Sequence, residues 1–492
     1  MALLLENTSS NELVFPAYKD TVFAMTGYEI ISEQQDVYNF KYILKLIVNY
    51  QEVAILKSPL YQNYDYGVFN IEQVLQDLTK TDVSGYANYY GGLQPQSTRD
   101  GVAYNTNNHA IHHIDAFARN RDNLNILQFE IAASWYDGNG NFTQTPFSRP
   151  KTQKNKLLDR YYFFNGIQQH SLGDVWNFDP YVLDGSTKKF ITNQSPTFER
   201  NIRLTDYQTL AFFNGKFCTS QAGGHGYGQN CENSLVKYIF AKGLDESGAT
   251  LFTGRWENND TNGGSYFPEL STAQLNPQTH PLTDKGLLYV GIGCKNIIDH
   301  MPNLAGGIIN ASDFDNVVKY QVYASNSAGT IISERYSFVI KGNDCKGYET
   351  IRIAYLNRLG AWDYVNFNKK STQSTDITRS NFKQNYGYAP IQQNGANSGN
   401  KWDYGKWQGG TKTYNVNAIN TIEANSDWIN EEHAITLEEL FTSPDTYIQD
   451  GTEFIPVVVT EQSYTKQTKA NDKLIQYIVS IQLGHETRIQ RL

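Results

Sequence analysis

The chain has 492 residues, of which 40% are apolar and 18% charged, and it carries a net charge of −9. That length leaves room for about three domains with real cores, which excludes a disordered chain. The acidic balance, with no dense Lys/Arg run, argues against a nucleic-acid surface, which needs a basic footprint.

Tyrosine (34) and phenylalanine (25) are abundant, while methionine (3) and proline (14) are scarce. Aromatic and β-branched residues with polar uncharged partners suit pleated surfaces better than helices. The opening Met1-Ala2-Leu3-Leu4-Leu5-Glu6-Asn7 has no positive n-region, so no secretory signal is expected. No run approaches the roughly 18 apolar residues of a membrane span. Folding in a cytoplasm is the expectation. With it, Cys218, Cys231, Cys294 and Cys345 are expected as free, buried thiols rather than a disulfide framework.

In chain order, the first element runs over 38–48, with Phe40, Tyr42, Leu44, Leu46 and Val48 on one face and Lys41 and Lys45 on the other. A turn at Asn49-Tyr50-Gln51 returns it through 53–56 as a β-hairpin. Ile71, Val74, Leu75 and Leu78 then fall at helical spacing behind Asn70 as N-cap. A strand beginning at Leu124 continues through Trp135 and Tyr136 to the hairpin turn Asp137-Gly138-Asn139-Gly140. Together these make an N-terminal β domain over 20–150, followed by a basic link at 151–156.

A second β-rich domain with long loops spans 157–284, with strands expected at 161–166, 189–193 and 209–215. The Gly-rich loop at 222–228 and the Asn/Gly stretch at 258–264 interrupt it. The third unit, 285–368, reads as a fibronectin- or immunoglobulin-like sandwich with turns every eight to twelve residues or so. Its strands are expected at 287–293, 317–323, 331–333 and 336–340. A polar, aromatic-containing excursion occupies 369–412. A C-terminal α+β module over 413–492 follows, with strands at 413–422, 454–460 and 474–483. Its helix is expected at 436–441, where Thr436 and Glu439 form a capping-box pattern and Ser443-Pro444 is the stop. The fold class is mainly β: tandem sandwich-like domains with a few short helices and long Gly/Asn-rich loops.

The most specific segment is the run from Cys345 to Phe367, read as a strand over 350–356, a tight turn and an aromatic return strand. Ile351, Ile353 and Tyr355 alternate with Arg352, Ala354 and Leu356. The turn Asn357-Arg358-Leu359-Gly360 follows, closed by the positive φ that glycine permits, and the return strand carries Trp362, Tyr364 and Phe367. This hairpin resembles a Leu-Asn-Arg-Leu-Gly turn followed by Trp-Asp-Tyr in virion proteins of tailed bacteriophages, particularly phages of Bacteroidota-type hosts. It departs from that pattern at Tyr355, where a tryptophan is often found. The run Phe190 to Pro196 followed by Asp206 to Leu210 resembles the same proteins. So does the C-terminal order Trp428, Glu431-Glu432, 437–444, Tyr447, 455–460 and 473–477.

The resemblance implies a non-enzymatic structural protein of the tail, tail tip or head-to-tail connector. Such a protein is made in the host cytoplasm and resides in the virion. It is assembled from other copies of itself and neighbouring virion proteins, with no nucleic-acid contact and no membrane span. The alternative is a host-surface glycan-binding adhesin or depolymerase.

No candidate chemistry displaces that expectation. His109 and His113 lie at i, i+4 beside His112 and Asp115. The metalloprotease pattern needs a glutamate after the first histidine, and Ala110 stands there. Cys218, His225 and Cys231 lack a fourth ligand for a closed zinc site, and no Gly-x-Ser-x-Gly elbow occurs. Catalytic, cofactor-binding and metal residues are therefore all assigned as none. Trp402, Tyr404 and Trp407 on a polar loop, with Tyr227 in the Gly-rich loop, are the expected interface residues. Stacking on a sugar ring, or packing of the loop onto its own domain, are the other readings of the tryptophans.

Overall fold

The computed structural model describes residues 3–7, 13–27, 38–49, 51–61, 65–79, 98–99, 102–103, 117–120, 124–150, 161–168, 176–196, 199–214, 216–218, 231–258, 286–298, 300–341, 348–384, 409–427, 429–451, 453–461, 474–484 and 487–491. The protein is mainly β, with several sheets and three short α-helices among the described residues. No described helix is long and apolar enough to cross a membrane.

The first core lies between two sheets. Leu4–Asn7, Val22–Thr26 and Tyr66–Asn70 form a three-stranded antiparallel sheet. Opposite it, Val14–Tyr18, Tyr161–Ile167, Leu124–Tyr136, Tyr38–Val48 and Gln51–Pro59 lie side by side in that order. Val14–Tyr18 and Tyr161–Ile167 are the parallel pair. Phe23 seats one sheet on the other, its ring 4.7 Å from Phe129 and 5.6 Å from Tyr161 between centroids. The alternation expected over 38–48 is real: Phe40, Tyr42, Leu44, Leu46 and Val48 are all buried in this core. The helix Glu72–Leu78 forms where the spacing predicts, but its N-cap is Ile71 and not Asn70, whose side chain lies one residue further out and accepts from the Glu72 N–H at 3.0 Å.

The second core lies under the five-stranded sheet of Arg200–Ile202, Tyr336–Ile340, Lys319–Ser325, Tyr238–Leu244 and Thr250–Glu257. A three-stranded sheet of Thr209–Asn214, Gly286–Gly291 and Phe117–Asn120 closes it. Trp256 ties the two together by donating its indole N–H to the Gly291 carbonyl at 2.9 Å. That small sheet is shared between cores. Leu210, Phe212, Leu288 and Val290 face the second core, while Ala211, Phe213, Leu287 and Tyr289 face the first. A strand covered on both sides reads as a continuous apolar run, which is why Thr209–Asn214 is buried at every position.

The third core belongs to an eight-stranded sheet. Its path runs Trp362–Phe367, Ile351–Leu356, Thr446–Asp450, Glu453–Val459, Ile478–Leu483, Gly410–Asn425, Ser371–Gln384, with Thr487–Arg491 also paired to Gly410–Asn425. Leu437 and Leu440 of the helix Glu431–Thr442 pack onto it.

Four local expectations are corrected. Residues 189–193 are not a strand, because their N–H groups go to unrelated partners: Lys189 to Pro180 O, Ile191 to Ala211 O and Thr192 to Phe190 O. Residues 331–333 contribute only an isolated bridge between Ser325 and Ile331. The stretch 474–483 is divided into Leu474–Ile475 and Ile478–Leu483, and between them the Tyr477 N–H donates to Ser426 Oγ at 2.9 Å. Thr436 is not an N-cap: the helix already runs from Glu431, and acidic residues in a first turn are favoured by the helix dipole.

Candidate functional site at the motif hairpin

The hairpin singled out from the sequence is present as Ile351–Leu356 paired with Trp362–Phe367. Gly360 adopts φ 77°. Asn357 folds the turn around itself, its Oδ1 accepting from the N–H groups of Leu359 and Ala361, both at 3.0 Å. The strand Ile351–Leu356 is buried at every residue. Ile351, Ile353 and Tyr355 enter the third core, and Ala354, Leu356, Trp362 and Tyr364 enter the first. Neighbouring segments hold the turn from outside. Ile167 N–H donates to the Arg358 carbonyl at 2.7 Å, and the Tyr289 hydroxyl donates to the Gly360 carbonyl at 3.1 Å.

Two buried polar nodes flank this joint. In the first, the Asp363 carboxylate accepts from the Thr192 hydroxyl, from the Asn193 N–H at 3.1 Å and from Asn357 Nδ2 at 2.9 Å. Asn193 also donates through its side chain to Glu439, and Arg358 Nε lies 3.2 Å from Glu439 Oε1. Loop 189–193, the hairpin turn and the helix Glu431–Thr442 therefore meet at two neighbouring carboxyls. Burial, reinforced by the charge of Asp363, pushes the Glu439 carboxyl up to about 7, against the opposing pull of Arg358 and Asn193.

In the second node Arg352, 1% exposed, donates through Nε and Nη2 to the Tyr207 carbonyl at 3.1 and 2.8 Å. It also reaches Gln208 Oε1 and Asn366 Oδ1, each at 2.9 Å, and its Nη1 lies 3.5 Å from Asp206 Oδ2. Arg203 grips the other side of Asp206, with Nε and Nη2 both 2.9 Å from Oδ1. Burial alone would raise the Asp206 carboxyl. Arg352 and Arg203 overcome it and hold the group below the usual carboxylate range. Close backbone approach completes the node: a Cβ on Gly293 would sit 2.5 Å from both Asp206 O and Gln208 N.

The carboxyls of both nodes are buried, and the second node reaches an open cleft through Arg203 and Asn366. Two clefts open beside the hairpin, of about 100 Å³ and about 420 Å³, and neither is lined by Asp363, Glu439, Asp206 or Arg352. The larger is polar, with Asn201, Arg203, Lys341, Asn366, Asn368 and Lys369 among its walls. The carboxyls of Asp363, Glu439 and Asp206 and the guanidinium of Arg352 are buried among protein partners, while Arg358 and Arg203 reach solvent, with side chains 40% and 21% exposed.

Among the described residues no group of three or more His, Cys, Asp or Glu gathers as metal ligands. His109, His112 and His113 lie outside the described residues, as do the expected interface residues Tyr227, Trp402, Tyr404 and Trp407. Cys294 is free and buried, and burial raises its thiol. Cys218 and Cys231 are direct partners across an antiparallel strand pair, a juxtaposition their spacing in sequence did not suggest. The sequence reading named none of the node residues as functional. A charged residue at position 352, amid apolar neighbours in a strand, was the available signal.

No protein-family model matches the chain, and no curated protein matches it.

Proposed function

We propose that the chain is a non-enzymatic structural protein of a tailed-phage virion, a tail, tail-tip or head-to-tail connector component assembled in multiple copies. The observation that carries this reading is the position of the phage-like hairpin. The residues that bear the resemblance, Leu356 to Tyr364, pack into the first core and tie it through Asp363 to Thr192 and Asn193 and through Arg358 to the helix Glu431–Thr442. A part that must keep its shape under assembly gains from such a joint, since satisfied buried networks rigidify a core.

Mass spectrometry of purified virions tests the proposal. Stoichiometric copies relative to the major virion proteins are expected; absence from washed particles defeats it.

The polar cleft of about 420 Å³ favours one second reading, a glycan-binding adhesin. Amide and cationic side chains there could hydrogen-bond sugar hydroxyls or an acidic sugar. A glycan array answers it: binding abolished by Asn368→Ala or Lys369→Ala supports the adhesin, and a blank array rejects it.

A further inference from the structure

The strand Ser371–Gln384 is the last in its sheet, and its inner neighbour Gly410–Asn425 is the strand it pairs with along its length. Its outer edge is bare among the described residues. From Thr372 to Arg379 every residue is exposed. It contains no proline, and its only charges are Asp376, Arg379 and Lys383. A one-residue bulge falls opposite Ser380 and Asn381, with Tyr414 as the extra residue on the inner strand, so the outer strand stays regular. A long, regular, uncovered edge presents a row of unpaired N–H and C=O groups, a template for another strand.

The side chains indicate which strand. In an antiparallel pair related by a two-fold axis, residues equally distant from the axis face each other. Only an axis at residue 377 or 378 engages all but one residue of this strand. At 377, Ile377, which is 44% exposed, meets its own copy. Asp376 then faces Thr378, Arg379 faces Thr375 and Lys383 faces Ser371, so no like charges oppose. At 378, Ile377 faces Arg379 instead and its apolar surface has no apolar partner. An axis at 376 or 379 sets a charge against itself, which is destabilising.

We propose that two copies of this chain pair edge to edge through residues 371–383, antiparallel and centred on Ile377, to continue the eight-stranded sheet across the dimer. This deepens the multi-copy part of the reading above, by naming the surface and its register.

Cysteine scanning tests the register directly, because facing Cα atoms in an antiparallel pair, about 4.5–5.5 Å apart, lie within disulfide reach. Oxidised glutathione would convert two facing thiols to one disulfide, releasing two reduced glutathiones. Wild type serves as the control for the native cysteines. Ile377→Cys is expected to give a covalent dimer on a non-reducing gel. Thr375→Cys and Arg379→Cys should each stay monomeric alone and cross-link when mixed. Ile377→Lys should shift the protein from dimer to monomer in light scattering with an unchanged circular dichroism spectrum.

A wild-type monomer in solution overturns the contact, and so does cross-linking through Thr378→Cys in place of Ile377→Cys. The two readings fail separately. A monomer that is nevertheless stoichiometric in virions removes this contact alone, whereas cross-linked dimers of a protein absent from virions remove the virion reading alone.

Discussion

Replacing Glu439 by glutamine should abolish a defined part of the pH dependence of stability. The Glu439 carboxyl is pushed up to about 7 from an ordinary value of 4.5. Between those pH values the folded chain holds a proton that the unfolded chain releases, so this group's contribution to stability falls as pH rises from about 4.5 and levels off above about 7. A separation of this size corresponds to roughly 3 kcal/mol. Glutamine stays neutral throughout and keeps an oxygen for Asn193 and Arg358 to donate to. The assay is denaturant unfolding at pH 5 and pH 8 for both proteins, followed by the near-UV signal of the buried aromatics. The fall in stability from pH 5 to pH 8 should be larger in wild type than in Glu439→Gln, by on the order of 3 kcal/mol. Equal pH responses, or a wild type that gains more stability at pH 8, would refute the assignment of a raised carboxyl to this node.

Further outcomes follow from the same geometry. Arg352→Met should cost on the order of 3–5 kcal/mol in denaturant unfolding, because it strips Asp206 of the Arg352 cation and removes two N–H donors from the Tyr207 carbonyl. A loss below about 1 kcal/mol, the level of a surface pair, would contradict the node. Gly293→Ala should destabilise by about 1–3 kcal/mol, since the added methyl meets backbone atoms at 2.5 Å that have no rotamer to yield; a neutral thermal melt would count against that packing. Cys218 and Cys231, facing each other in register, should join on treatment with a thiol oxidant, and peptide mapping that finds both alkylated after oxidation would disprove it. Trp402→Ala with Trp407→Ala should spare the isolated fold but impair particle assembly in complementation; normal particles and infectivity would exclude those side chains as assembly contacts.

Much of the local structure was legible because burial imposes its period on sequence. Alternation over 38–48, the long strand from Leu124 and the turn closed by Gly360 all came through. What failed was local pattern overridden by distant partners. Phe190-Ile191-Thr192 has strand character, yet Thr192 and Asn193 are drawn to Asp363 and Glu439, which lie 171 and 246 residues away along the chain. Thr436 and Glu439 match a capping box, but Glu439 is spent on the hairpin turn rather than on a helix start. Residues 371–384 read as part of the polar excursion 369–412, and not as the strand they form, because a strand exposed on both faces carries no alternation. Strand pairing lies further out of reach: Val14–Tyr18 beside Tyr161–Ile167, or Arg200–Ile202 beside Tyr336–Ile340, leaves no trace in either segment. The polar nodes were hidden for the same reason, since a buried Arg352 is defined by carbonyls and carboxylates that only the fold brings to it.

Cryo-electron microscopy of purified phage particles tests the structural-protein account most directly. The account predicts density for this fold in symmetry-related copies around the tail or connector axis, with the hairpin joint intact in every copy. Particles reconstructed to side-chain detail with every tail and connector density assigned to other chains would contradict it.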